Sequence, residues 1–163
     1  MNKIHRKMEY ALIALKHMSQ KRPGELTTVK EVCQKYGTPF DATARVMQQM
    51  VQGKFLKSEQ GAYGGYLIMK DLTKVSVKDL IERVVGPIEV VPCISGDMDG
   101  AHCDLKDQCN IKQPLALLND KLLRFYEGIP LHQLLNIRTM SGDTPLEGLH
   151  NPAESVTAGA TFS

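Results

Sequence analysis

Apolar residues fall at Ile4, Met8, Ala11, Leu12, Leu15 and Met18. Steps of three and four place them on one stripe of a helix. The spacing predicts a helix over about 4–19, stopped by Lys21-Arg22-Pro23-Gly24. Thr28-Val29-Lys30-Glu31 is a capping box, in which hydroxyl and carboxylate each satisfy an end amide of the next helix. That helix carries Val29, Val32, Cys33 and Tyr36 along one side and stops at Gly37. Thr38-Pro39-Phe40-Asp41 opens a third helix, with Thr38 expected at the N-cap and Pro39 at the first helical position. Val46, Met47, Met50 and Val51 face inward on it. Asp41, Ala42, Arg45, Gln48 and Gln49 face outward, and Gly53 ends it.

Phe55–Ser58 and Tyr66–Met69 then read as strands around a turn containing Gly61, Gly64 and Gly65. Two short helices across a glycine turn, followed at once by a hairpin, make a helix-turn-helix with a wing. Ser76 opens a fourth helix with Val77, Leu80, Ile81, Val84 and Val85 apolar, ended by Gly86-Pro87. Residues 88–111 form a loop. Pro114 opens a longer helix to about Glu127, with Leu115, Leu118, Leu122, Phe125 and Tyr126 along one side. That apolar surface is wide for a helix at the edge of a small domain, and pairing with a second copy would bury it. Leu131, Leu134, Leu135 and Ile137 suggest one more short helical turn. Residues 139–163 are rich in Gly, Ser, Thr and Pro and read as a disordered tail. The expected architecture is therefore mainly α with a β-hairpin wing. A winged helix-turn-helix spans 1–87, a cysteine loop 88–111, and a dimerisation helix with a short final helix 112–138.

Charge divides this layout. Residues 1–85 carry 15 Lys and Arg against 8 Asp and Glu, and residues 86–163 carry 5 against 10. A basic first half is the electrostatic footprint expected for a polyanion such as DNA. No apolar run reaches the roughly 18–20 residues that span a bilayer, and the first residues do not form a signal peptide. A cytoplasmic protein with reduced thiols is expected. Nucleophile elbow, HExxH and Rossmann patterns are all missing, so no enzymatic site is expected. Gly61-Ala62-Tyr63-Gly64-Gly65 lacks the Gly-Lys-Ser/Thr ending of a phosphate cradle.

Three of the four cysteines, Cys93, Cys103 and Cys109, fall within 17 residues. Structural zinc brings pairs two to four residues apart; spacers of nine and five fit that poorly. An iron–sulfur core tolerates wider gaps. Three thiolates leave a fourth position, for which Glu9, His5, His102 and Cys33 are candidates. Cys33 lies on the apolar stripe of its helix and reads as a core residue. His102 reads as a solvated loop residue. Asp97-Met98-Asp99-Gly100 does not match a calcium loop, because its glycine comes too early and the closing acid is missing.

Glu9-Tyr10-Ala11-Leu12, the Thr38-Pro39 helix start, the wing Gly61–Leu67 and the three-cysteine loop occur in an order that resembles the IscR/NsrR/RirA-type winged-helix transcriptional regulators. The similarity covers about residues 1–137. It implies a homodimer with a [2Fe–2S] or [4Fe–4S] cluster that reports redox poise, nitric oxide or iron–sulfur status. Cys93, Cys103 and Cys109 would be ligands. A ligand histidine found in some members is replaced here by Lys112, while Glu9 stands where nitric-oxide-sensing members place an acid. Glu9 is thus the expected fourth ligand. Gln60 occupies the position of an arginine that many relatives insert into the minor groove.

On this reading the third helix enters the major groove of a double-stranded operator. Arg45 suits guanine, Gln48 adenine, and Asp41 could accept from cytosine. Thr28, Thr38, Lys54 and Lys57 would hold phosphates. Gln60 would reach the minor groove, and Leu115, Leu118, Leu122 and Phe125 would form the dimer interface. The alternatives are a winged-helix regulator switched by zinc or thiol oxidation, and a small iron–sulfur electron carrier, which the charge division argues against.

Overall fold

The computed structural model describes residues 5–61, 63–91 and 109–135. The first helix, α1, is Arg6–Ser19, and the Nδ1 of His5 accepts the Lys7 backbone N–H at its start. Met8, Ala11, Leu15 and Met18 are buried, as its stripe predicts; Ala14, which the stripe did not include, is buried with them, and Leu12 is half-buried. Helix α2 is Val29–Tyr36, closed by the expected Thr28/Glu31 capping box and by Gly37 in the left-handed region at φ 67°. An L side chain rarely adopts that backbone, whereas glycine adopts it freely.

Helix α3 is Phe40–Gln52, and here the cap differs from expectation. Pro39 is the N-cap residue, with φ −64° and ψ 132°, and no side chain caps the helix. Proline already supplies the extended backbone an N-cap needs, so the helix starts one residue later. Thr38 is left one position too early to cap. Its hydroxyl lies 2.9 Å from the Thr43 hydroxyl and donates to the Cys33 sulfur at 3.5 Å.

Strands β1 (Leu56–Glu59) and β2 (Gly65–Ile68) form the antiparallel hairpin, with Leu56 opposite Ile68 and Glu59 opposite Gly65. Both strands sit one residue away from the predicted bounds. The hairpin is tied to the segment before α2, because Thr27 and Tyr66 exchange both backbone hydrogen bonds at 3.0 and 2.9 Å. Helix α4 (Val77–Val84) has a Ser76/Asp79 capping box. Helices α5 (Lys112–Glu127) and α6 (Leu131–Leu134) complete the described elements.

One core joins them. Leu15, Met47, Met50, Phe55, Leu56, Leu80 and Val84 are almost fully buried. Each such side chain contributes about 1.5–3 kcal/mol by leaving water. Helix α6 belongs to the same core. Leu131 and Leu135 are buried in it, Leu131 N–H donates to Val75 O at 2.8 Å, and Val77 N–H donates to Ile129 O at 2.8 Å. The chain therefore returns after α5 to close the winged unit. Among the described residues no helix is long and apolar enough to cross a membrane.

Candidate nucleic-acid interface and sensing loop

The turn between α2 and α3 is positioned by buried groups on three elements. Val32 of α2 is buried, and Val46, Met47 and Met50 of α3 share one core with the apolar stripe of α1. A polar cluster adds direction. The His17 ring, 5% exposed, has Nε2 2.8 Å from Glu31 Oε1 and Nδ1 3.1 Å from the Tyr36 hydroxyl. Lys21 Nζ donates to Glu31 at 2.7 Å and to Leu26 O at 2.7 Å. Desolvation is the largest single influence on the Glu31 carboxyl and opposes its ionisation. Hydrogen bonds from Lys21 and His17, the Lys21 charge and the Thr28 backbone together outweigh it and hold the carboxyl below its ordinary range. The sequence did not reveal this cluster. His17 and Glu31 are 14 positions apart, and only the packing of α2 on α1 brings them together.

Three of the five residues expected on the outward face of α3 are open, while Ala42 and Gln49 are half-buried. Asp41, Arg45 and Gln48 are exposed. Phe40, at the start of the same helix, is 56% exposed. At the other end Arg83 of α4 lies over Gly53 and donates from Nε to the Gln49 carbonyl at 3.1 Å. A Cβ on Gly53 would fall 2.6 Å from the Arg83 side chain. This places a cation at the negative end of the helix dipole.

The expected phosphate contacts have diverse settings. Thr28 is exposed, but its hydroxyl accepts the Glu31 N–H at 3.1 Å. Thr38 is half-buried, with its hydroxyl in contact with Thr43 and Cys33. Lys54 is exposed and holds φ 58°, uncommon for a residue with a side chain. Lys57 is exposed but paired with Glu59 at 2.6 Å.

At the wing tip Gln60 is exposed and Gly61 has φ 121°. A Cβ at Gly64 would lie 2.5 Å from the Glu59 carbonyl, and one at Gly65 2.9 Å from the Thr27 carbonyl. Between them Tyr63 is 93% exposed. An aromatic residue inside the glycine-rich turn of the expected wing was the available signal for it.

Of the expected cluster ligands, Cys93 and Cys103 lie outside the described residues, as does His102. Cys109 is a free, half-buried thiol three residues before α5 begins. Glu9 lies on α1, where its carboxylate accepts from Arg6 Nη1 at 2.8 Å. Both partners are well exposed, so this ion pair is weak and easily exchanged. His5 caps α1. Cys33 is half-buried rather than a fully buried core residue, because its sulfur faces the Thr38 hydroxyl at the turn. No group of three metal-ligating side chains forms among the described residues. The donor set still suits iron–sulfur chemistry, since three thiolates are the soft ligands such clusters take.

Helix α5 has two faces. Asn119 is buried, its Oδ1 accepting the Val90 N–H at 2.9 Å, and Tyr126 packs against the core. Tyr126 therefore leaves the stripe expected for it beside Phe125. Leu118 and Phe125 are 51% and 54% exposed, and Leu115 and Leu122 are half-buried. Ile111 and Leu117 widen the exposed surface.

Residues 4–137 match the family model described as Rrf2, iron-dependent transcriptional regulator. The chain is 27% identical over 137 residues to a rrf2-like HTH-type transcriptional regulator from Rhodobacter capsulatus, covering 81% of this chain and 91% of that one. Its fold is similar to CymR, the global cysteine regulator of B. subtilis, with a TM-score of 0.63 and 21% identity over 85% of this chain and all of CymR. It is also similar to T. potens IscR, with a TM-score of 0.58 and 18% identity over 83% of this chain and 87% of that one. The chain belongs to the Rrf2 family of transcriptional regulators.

Proposed function

We propose that the protein is a homodimeric regulator that reads a near-palindromic operator and senses redox, nitric oxide or iron–sulfur status through its cysteine loop. The exposed Asp41, Arg45 and Gln48 on α3 carry the DNA reading. A helix buried on one side and open on the other presents these side chains to base edges, as major-groove recognition requires. Lys54 and Thr28 at the ends of the motif anchor it to phosphates. Leu118 and Phe125, with Leu115 and Leu122 beside them, are an apolar stripe that a second copy would cover.

Cys93, Cys103 and Cys109 would hold an iron–sulfur cluster, with Glu9 as the fourth ligand. The cluster, when bound, would supply a centre open to oxidants, nitric oxide or loss of iron. An oxygen ligand holds iron less firmly than thiolate, so Glu9 makes the site easier to open. Glu9 lies on the winged unit, so binding it to the loop would tether sensor to reader. Releasing it would change operator affinity by about 5- to 150-fold, the usual range of such coupling.

A second reading has its own support. The oxidised form of CymR from Staphylococcus aureus is similar in fold to this chain, with a TM-score of 0.61. Thiol oxidation in the loop, or zinc, would then be the switch without a cluster.

Anaerobic purification tests the two. The cluster reading expects coloured protein containing iron and sulfide, with both lost in Cys109→Ser and in Cys103→Ser. Colourless protein that resists reconstitution, yet changes operator affinity on reversible oxidation, supports the second reading. A protein without affinity for any duplex selected from a random library overturns both.

A further inference from the structure

We infer that Tyr63 is a DNA-contacting residue, and that the wing engages the minor groove through the face of this ring rather than through charge. This rests on the reading of α3 as the major-groove helix.

Three observations carry it. First, Tyr63 is 93% exposed at the tip of the hairpin, although an aromatic side chain gains by leaving water. The whole ring face is open to a stacking partner. Second, the tip does not swing freely. Thr27 and Tyr66 exchange two backbone hydrogen bonds, which fixes β2 against the entrance to α2. Gly64 and Gly65 sit too close to the Glu59 and Thr27 carbonyls to carry side chains. The ring is therefore presented at a set place relative to the helix-turn-helix. Third, the wing offers little charge. Lys57 is paired with Glu59 at 2.6 Å, and Gln60 and Ser58 are neutral. The turn itself, residues 60–65, holds no Lys or Arg to insert into the minor groove.

What remains is apolar and stacking contact with deoxyribose and base edges, of the kind made by wedge residues in minor-groove proteins. The occupant is duplex DNA rather than a protein because the ring stands on the basic half of the chain, 15 cations against 8 anions over residues 1–85.

The test uses the full chain and a duplex selected from a random library, with binding followed by fluorescence anisotropy at several salt concentrations. Tyr63→Ala is expected to bind about 5- to 150-fold more weakly, the range for losing one aromatic–base contact. The slope of log affinity against log salt should stay unchanged, because no phosphate charge is involved. Tyr63→Phe should bind within about twofold of the parent. The exposure of the side chain keeps both variants folded, which thermal melts would verify. Equal affinity of Tyr63→Ala and parent overturns the inference and leaves the α3 reading intact. A loss in Tyr63→Phe equal to that in Tyr63→Ala also overturns it, by showing a hydroxyl contact. Absence of binding by the parent protein condemns the α3 reading itself.

Discussion

Glu31 has two tasks at one position. It completes the capping box of α2 and receives both His17 and Lys21 from α1. Its depressed carboxyl means that the folded state favours the ionised form. The stability this brings is fully present above the ordinary carboxyl value of 4.5 and is lost as pH falls through the lower folded value. Urea unfolding across acidic pH should show that loss, and Glu31→Gln should flatten it while lowering stability near neutrality. Equal acid dependence in parent and variant would remove the cluster from the account. On the reading face, Arg45→Ala should cost about 1–3 kcal/mol against the selected duplex and little against a scrambled one. Lys54→Ala should weaken both alike and reduce the salt slope by about 0.9. Competition anisotropy separates these two patterns.

At the scale of elements, the wing depends on glycine for space rather than for flexibility. Gly64 has no room for a Cβ, since the nearest atom is the Glu59 carbonyl oxygen at 2.5 Å and belongs to the backbone. Gly64→Ala must therefore move the hairpin, at a cost of about 1–3 kcal/mol. Denaturant unfolding should report that loss, and operator affinity should fall with it because the tip is displaced. Gly24→Ala offers the contrast: its Cβ would meet nothing within 4 Å, but its φ of 84° strains a side chain. That variant should lose stability without losing DNA affinity at saturating stability conditions.

For the whole molecule, the decisive feature is the division of α5 into a face that serves its own domain and a face that does not. Tyr126 packs on the core of the winged unit and Asn119 holds the backbone of Val90 just beyond it, while Leu118 and Phe125 remain open. Leu118→Asp with Phe125→Asp should convert a dimer to a folded monomer, seen by sedimentation equilibrium with retained circular dichroism. Operator affinity should drop sharply because two half-sites are no longer bound together. A parent protein already monomeric at micromolar concentration would sink this expectation.

Periodicity and punctuation determined most of the local structure. The stripe through Met8, Ala11, Leu15 and Met18 predicted α1, and Thr28 with Glu31 and Ser76 with its following acid predicted the starts of α2 and α4. The glycines around Tyr63 predicted the hairpin, and the order of these elements with the cysteines pointed to the family. Those signals are local: they depend on residues within a few positions of each other. What the tertiary structure alone decided depends on groups far apart in the chain. The sequence had no way to place His17 against Glu31, Arg83 over the end of α3, or Leu131 inside the core of α1 and α4. It also could not tell that Tyr126 turns inward while Phe125 stays open, because neighbouring positions on a helix differ by about 100° and only the packing partner says which side is covered. Long-range burial is set by all the elements at once, and a one-dimensional pattern records only the part of it that repeats.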